Sequence, residues 1–266
     1  SVFGLGYVGV VCAACFSKND YKVIGVDVDE TKVNLINNGK STIVEDGLDA
    51  QVSESVKSNL LSATRDYEFA ILNSEISFVC VGTPSLSNGA INLAYIYSVA
   101  KQIAEVLKNK TVFHTVVIRS TVKVGTLKTC KSIIEDISGK IHGKDFGLVS
   151  NPEFLREGSA MYDFVNPPYT IIGTNCNKSR EIMTELYNSI KAPIYFILPE
   201  EAEMIKYAAN AFLAMKITFI NEVADLCEVV GADVQEVARG IGLDNRIGKK
   251  FLHAGPGYGG SCFPKD

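Results

Sequence analysis

Gly4, Gly6 and Gly9 form G-x-G-x-x-G directly behind the apolar pair Val2-Phe3 and ahead of the small-residue run VVCAAC. At a strand-to-helix junction such glycines permit a tight turn, close approach of a pyrophosphate and tight packing of the helix on the sheet. The helix N-terminus then offers its dipole and free N–H groups to phosphate. A second apolar run, KVIGVD, ends in Asp27, 18 residues after Gly9, where a carboxylate binds ribose hydroxyls and repels a 2′-phosphate. The combination favours NAD over NADP. Without a ligand the glycines would make an ordinary tight turn, and Asp27 would be a strand-end residue facing water. Cys12-Ala-Ala-Cys15 falls inside the helix that follows; small side chains there let helix and sheet approach, so both thiols read as packing residues and not as a redox pair.

Short β-branched runs (VFG, KVIGVDV, ISFVCVG, HTVVIRS, FGLVS, YTIIG and APIYFI) alternate with helical patterns along the chain. Strand then helix, repeated, predicts an α/β fold with a Rossmann-like, doubly wound parallel sheet. In such a sheet ligands lie beyond the carboxyl ends of the strands, which places Thr83 and Thr121 to touch a cofactor; capping of the next helix is the alternative for both. The pattern changes near Pro199. From there no Gly or Pro interrupts the chain until Gly231, which predicts a helix of roughly 30 residues, about 45 Å long at ~1.5 Å per residue. A shorter helix around 233–239 and a glycine-rich tail follow. The expected division is a dinucleotide-binding domain over 1–198 and a long-helix, dimerisation and catalytic-loop region over 199–266.

The formal charge of the 266-residue chain is only −4, with no basic cluster or long acidic run. Nucleic acid and anionic membrane are therefore not expected partners, and a small molecule is. The long helix carries Glu203, Lys206, Lys216, Glu222, Asp225 and Glu228, too many charges for a membrane span. Seven scattered cysteines and the lack of a signal-peptide pattern fit reduced thiols and a cytoplasmic protein.

Three stretches carry candidate chemistry. In VSNPEFLREG, Asn151 as a helix cap with Pro152 at the first position would set Glu153 and Glu157 one turn apart on one face; acids that merely offset the helix dipole are the alternative. In AEMIKYAAN, Lys206 and Asn210 stand four apart, and helical spacing continues that face through Leu213, Ile217 and Asn221. Its alternative is an edge position with the lysine reaching out to water. In GYGGSCFPKD, Cys262 sits behind glycines with a lysine nearby, a setting that favours a thiolate nucleophile; a small residue in a glycine turn is the alternative. A dinucleotide site with a nucleophilic cysteine suggests oxidation past the aldehyde level, because a thiohemiacetal can give up a second hydride and leave a thioester for water to cleave.

GLGYVG, VGTP, RSTV, NPEFLREGSA, AEMIKYAANAF and AGPGYGGSCFPKD occur in that order, and together they closely resemble the UDP-glucose/GDP-mannose 6-dehydrogenases over essentially the whole chain. These enzymes oxidise the C6 alcohol of a nucleotide sugar to a carboxylate with two NAD⁺ and no metal. The resemblance implies Cys262 as nucleophile and Glu153 as general base or water-activating carboxylate, with Lys206 and Asn210 as oxyanion stabilisers. Thr121 and Asp266 would hold water and polar geometry. It further implies the cradle glycines with Tyr7, Val8, Asp27, Lys32, Thr83 and Thr121 as cofactor contacts, and Glu157 as a cofactor or substrate contact. Phe154, Leu155, Asn221 and the stretch from Lys250 through Phe251 and His253 to Gly259 would form the substrate wall. Family members continue into a further nucleotide-binding-like domain not contained in these 266 residues, and a homodimer built around the long helix is expected. HTVVIRSTV and IEDISGK resemble the GDP-mannose branch; RIGKKFLHAGPGYGGSCFPKD and Leu213 resemble the bacterial UDP-glucose branch, and the pocket-lining tail weights the expectation towards UDP-glucose. Two rival expectations are a catalytically silent NAD-binding or dimerisation module, and a dehydrogenase making one hydride transfer with Lys206 as base and Cys262 structural.

Overall fold

The computed structural model describes residues 1–257 and Phe263. Its strands are β1 (Val2–Phe3), β2 (Val23–Val26), β3 (Leu61–Thr64), β4 (Ile76–Val79), β5 (His114–Ile118), β6 (Phe146–Ser150), β7 (Thr170–Gly173) and β8 (Ile194–Ile197). They form one sheet in the order β3-β2-β1-β4-β5-β6-β7-β8. Every neighbouring pair is parallel except β6 with β7, which meet antiparallel at the single pair Ser150 and Gly173. The expected doubly wound sheet is therefore present with one reversal. Because the carboxyl ends of β6 and β7 meet, β7 extends beyond the end of β6, and its first residue, Thr170, flanks the space outside the parallel strands. The sequence pattern passed over β3: only Leu61 and Ala63 of LSAT face inward, too few apolar residues to stand out.

The helices are α1 (Tyr7–Lys18), α2 (Glu30–Asn37), α3 (Leu48–Lys57), α4 (Tyr67–Leu72), α5 (Ala94–Leu107), α6 (Thr126–Ser138), α7 (Ala160–Val165), α8 (Asn177–Leu186), α9 (Pro199–Val230) and α10 (Val234–Gly242). They cover both faces of the sheet. On one face α1, α3, α7 and α8 bury Val10, Cys12, Val52, Phe164 and Met183; on the other α4, α5 and α6 bury Ile71, Ile96, Ile103 and Ile134. Strands buried on both sides read as continuous apolar runs, as β5 and β6 do. Cys12 and Cys15 both lie in the core, as packing residues should.

Pro199 opens α9 and Gly231, with φ +73°, closes it after 32 residues, a rod of about 48 Å at ~1.5 Å per residue. Its first turns are pinned to the sheet domain by Glu203, 2% exposed. That carboxylate accepts from the backbone N–H groups of Gly125 (2.7 Å) and Leu127 (2.8 Å) at the start of α6. The far half of α9 packs a small cluster of its own, in which Ile220 meets Ala238 and Leu252. Among the described residues no helix is long and apolar enough to cross a membrane.

Glu203→Ala leaves two N–H donors without an acceptor, at about 1–3 kcal/mol for each one that stays buried and unpaired. Chemical denaturation is expected to show roughly 2–4 kcal/mol of destabilisation, and a loss under 0.5 kcal/mol would show that α9 does not depend on this contact.

Candidate active site

The first glycine turn leaves no slack. Gly4 has φ +87°, and a Cβ on Gly9 would lie 1.8 Å from the Gly4 carbonyl oxygen, so only glycine lets α1 start this close to β1. A Cβ on Gly6 would meet nothing within 4 Å; it would project into the open space before the helix N-terminus. No acidic side chain lies in the first turn of α1, and Gly6 brings no capping side chain. The first N–H groups thus remain available to an anion.

Asp27 follows β2 and is nearly buried. Its Oδ2 accepts from the Leu5 N–H (2.7 Å) and lies 3.4 Å from Lys32 Nζ, while Oδ1 accepts from the Asp29 N–H (3.0 Å). A carboxylate has about four acceptor positions, so the anchored group retains capacity for ribose hydroxyls. Glycine turn, open helix end and strand-end carboxylate together fit a dinucleotide. Thr83 donates to the Thr121 carbonyl (3.1 Å), which ties the exits of β4 and β5 together. Neither threonine caps a helix: the caps of α5 and α6 are Leu93 and Gly125.

The segment after β6 departs from expectation. Residues 151–156 are not helical and α7 begins only at Ala160, so Glu153 and Glu157 do not share a helix face. Asn151 is no cap. It is fully buried: its Oδ1 accepts from Arg119 Nη1 (2.8 Å) and the Tyr187 hydroxyl (2.6 Å), and its Nδ2 donates to the Ile171 carbonyl (2.7 Å). These bonds hold the chain extended as it leaves the sheet. Glu153 then turns inward, with Oε2 accepting from the Leu155 N–H (2.7 Å) and Oε1 3.3 Å from Lys206 Nζ.

Lys206 is 7% exposed, which overturns the alternative of a lysine reaching for water. It lies over the Phe154 ring at 5.2 Å, and Asn210, one turn on, is equally buried. Glu153, Lys206 and Asn210 share the floor of a cavity of about 760 Å³, walled by Phe154, Leu155, Glu157, Leu213, Lys250 and Phe251. Thr83, Thr121, Asn221 and His253 do not line it. Asn221 instead accepts from the Gly255 N–H (2.9 Å) and pins the tail to α9, while His253 is exposed. Tyr7 and Val8 stand in the first turn of α1, with the Tyr7 hydroxyl 3.1 Å from the Arg156 carbonyl. Gly259, Cys262 and Asp266 lie outside the described residues.

Arg119 was not singled out from the sequence. Its guanidinium is buried in the cavity wall and lies 5.5 Å from the Phe164 ring centre. Burial works against its charge, yet Tyr187, the Cys12 and Cys80 thiols and Glu153 around it raise its pKa above the ordinary guanidinium value, so it stays cationic. A lone arginine closing the apolar run HTVVI was the available signal. Tyr169, whose ring stands 5.5 Å from that of Phe154, left none.

A family model for the UDP-glucose/GDP-mannose dehydrogenase NAD-binding domain matches residues 1–191, and one for the central domain of the same family matches residues 200–266. The chain belongs to the UDP-glucose/GDP-mannose dehydrogenase family. Among its relatives, the UDP-glucose 6-dehydrogenase of Rhizobium meliloti is 50% identical over all of this chain and 61% of its own length. The GDP-mannose 6-dehydrogenase of Pseudomonas aeruginosa is 46% identical, again over the whole chain and 62% of its own. A solved UDP-glucose dehydrogenase from Pyrobaculum islandicum superposes with a TM-score of 0.95 at 39% identity, covering 99% of this chain and 61% of that one. The chain thus spans about three-fifths of the length of these family members. The family's NAD-binding domain is the part that holds the glycine cradle and Asp27.

Gly9→Ala is expected to push α1 off β1, costing about 1–3 kcal/mol through overpacking. A distortion of that size at the phosphate end corresponds to roughly tenfold or more in affinity, readable by NADH fluorescence titration; unchanged affinity would remove the cradle from the cofactor site.

Proposed function

We propose that the full-length protein oxidises the C6 alcohol of UDP-glucose to a carboxylate with two NAD⁺. The observation that carries this reading is the buried Glu153–Lys206 pair beside Asn210, on the floor of a cavity whose lining residue Arg156 is reached by the hydroxyl of Tyr7 from the first turn of α1. NAD⁺ in the cradle supplies the hydride acceptor. Lys206 and Asn210 offer N–H donors to the sugar oxygen as negative charge develops on it, the arrangement that contributes most in a water-poor site. Glu153, already paired with Lys206, is the carboxylate to accept a proton from water.

Cys262 is the proposed nucleophile, on the strength of its glycine-rich setting and the resemblance alone. After the first hydride leaves C6, the thiolate adds to the aldehyde carbon; loss of the second hydride turns the thiohemiacetal into a thioester. Water then cleaves the C–S bond and returns the thiol. The balance is one alcohol, two NAD⁺ and one water giving one carboxylate, two NADH and three protons. Thr121, Asp266, Glu157 and the remaining wall residues keep their implied roles as part of this proposal, as does the division of the chain at residue 198.

The test is a full-length assay against UDP-glucose and GDP-mannose, counting NADH per sugar. Two NADH and a uronate from UDP-glucose support the reading; preference for GDP-mannose moves the protein to the other branch, and one NADH per sugar defeats the thiol route. Lys206→Ala is expected to lower turnover by about 10²–10³-fold, the usual cost of one oxyanion donor, with NAD⁺ binding intact. Near-normal turnover would return Lys206 to a structural role.

A homodimer belongs to the same proposal. Met204, Phe212, Met215, Phe219 and Leu226 are each more than half exposed along α9, at helical spacings of three, four, seven and eight residues that keep them on one stripe. A second copy related by a two-fold axis would present the same stripe. Sedimentation of full-length Phe219→Glu should show monomers where the unmodified chain is dimeric; an unmodified chain that sediments as a monomer sinks this part.

A further inference from the structure

Glu45, in the connection between α2 and α3, does not line the cavity, yet it joins the segment that carries the cavity wall to Tyr7 of the glycine stretch. Its Oε2 accepts from the Tyr7 hydroxyl (2.7 Å) and the Gly158 N–H (2.9 Å), and its Oε1 from the Ala160 N–H (2.8 Å). Tyr7 belongs to the first turn of α1, where the cradle N–H groups lie. Gly158 and Ala160 end the irregular segment that carries Glu153, Phe154, Leu155 and Glu157. The stretch around Glu45 is itself fixed on both sides: the Thr42 hydroxyl donates to the Leu5 carbonyl (2.7 Å) and Leu48 is fully buried.

We propose that Glu45 is a positioning residue that transmits occupancy of the dinucleotide cradle to the 152–159 segment and so sets the placement of Glu153 in the cavity. The inference rests on the functional reading above. All three partners of Glu45 are donors, which is why a carboxylate is needed: an acceptor-only group satisfies all of them, whereas glutamine must turn its NH₂ towards one. The segment is secured at its far end by the Glu153–Lys206 contact and at its near end by Glu45; a shift of Tyr7 as the cradle fills moves the near end directly. A carboxylate that only capped α7 would need no hydroxyl from α1. The Tyr7 hydroxyl, which donates to Glu45, also lies 3.1 Å from the Arg156 carbonyl, so α1, the Glu45 connection and the 152–159 segment meet at one point.

The test compares full-length protein with its Glu45→Gln variant by hydrogen exchange, with and without NAD⁺, and by steady-state kinetics. In the unmodified protein NAD⁺ should slow exchange of the amides in 153–160. In Glu45→Gln that segment should exchange faster and stop responding to NAD⁺, while residues 5–16 are still protected by it. Turnover with UDP-glucose should fall about 10–100-fold, the cost of misplacing a reacting group by around an ångström, with KM for the sugar changing far less. A lowered melting temperature with unchanged kcat and an unchanged exchange response would make Glu45 a cap and nothing more, and overturn the proposal. So would lost turnover with the segment still protected. Should Glu45→Gln fail to fold, Tyr7→Phe removes one arm of the junction, and a retained NAD⁺ response at 153–160 in that variant overturns the idea equally. A full-length protein inactive on every nucleotide sugar defeats the functional reading, whereas the exchange measurement still judges Glu45.

Discussion

The contact between Glu153 and Lys206 sets terms for everything around it. Two charges taken out of water cost several kcal/mol each unless they meet with good geometry and further hydrogen bonds, so the β6 exit and α9 cannot be placed independently. Glu153 brings its second oxygen to the Leu155 N–H, and Lys206 sets its ammonium over the Phe154 ring. One turn earlier on α9, Glu203 makes a second polar attachment, to the start of α6. These two anchors fix the long helix in both rotation and register. An apolar seam alone would tolerate slippage; paired charges and N–H groups do not. A pair that is costly when broken is also one whose parts are available for chemistry, because each member already stands where water is scarce.

The second constraint comes from the sheet. Parallel strands direct their carboxyl ends and the following loops to one edge, and β1, β4, β5 and β6 all do so here. The reversal at β7 closes one side of that edge. Since Ser150 meets only Gly173, β7 stands beyond the parallel strands and contributes Thr170 and the neighbouring Tyr169 to the cavity wall. Asn151 secures this corner by donating to the Ile171 carbonyl while accepting from Arg119 and Tyr187. A buried amide satisfied on both ends specifies geometry strictly, and it is this amide that sends the chain into an extended path instead of a helix.

That detail explains which features were legible in the sequence. Glycine spacing, apolar periodicity and the Lys206–Asn210 spacing are local signals, and the cradle, most of the strands and α9 emerged from them. Asn-Pro-Glu is a local helix-start signal as well, and there it misled: the Asn151 side chain has partners just past β5, on β7 and at the end of α8, and three long-range bonds outweigh a capping preference worth about 1 kcal/mol. Arg119 and Tyr187 gain their meaning only from each other and from Asn151, across separations that periodicity does not register. The motif Asn-Pro-Glu-Phe-Leu-Arg-Glu marked the right place for the wrong local reason.

Positive charge gathers around Glu153, the one buried carboxylate that lines the cavity among the described residues. Arg119 remains cationic in the wall behind the β5 exit and Lys206 faces Glu153 directly, so among the described residues the buried part of the lining holds two cations and one anion. Elsewhere in the lining Arg156 and Lys250 are matched by Glu157 and Asp163, so the described lining carries one net positive charge, and that charge is buried. A cavity with surplus positive charge and low exposure to water is suited to anionic ligands and to oxygen atoms that gain charge during a reaction. The aromatic contacts of Phe154 with Tyr169 and Lys206 hold the wall stiff enough for that charge to be met at fixed positions, which is what distinguishes a preorganised site from a merely attractive one.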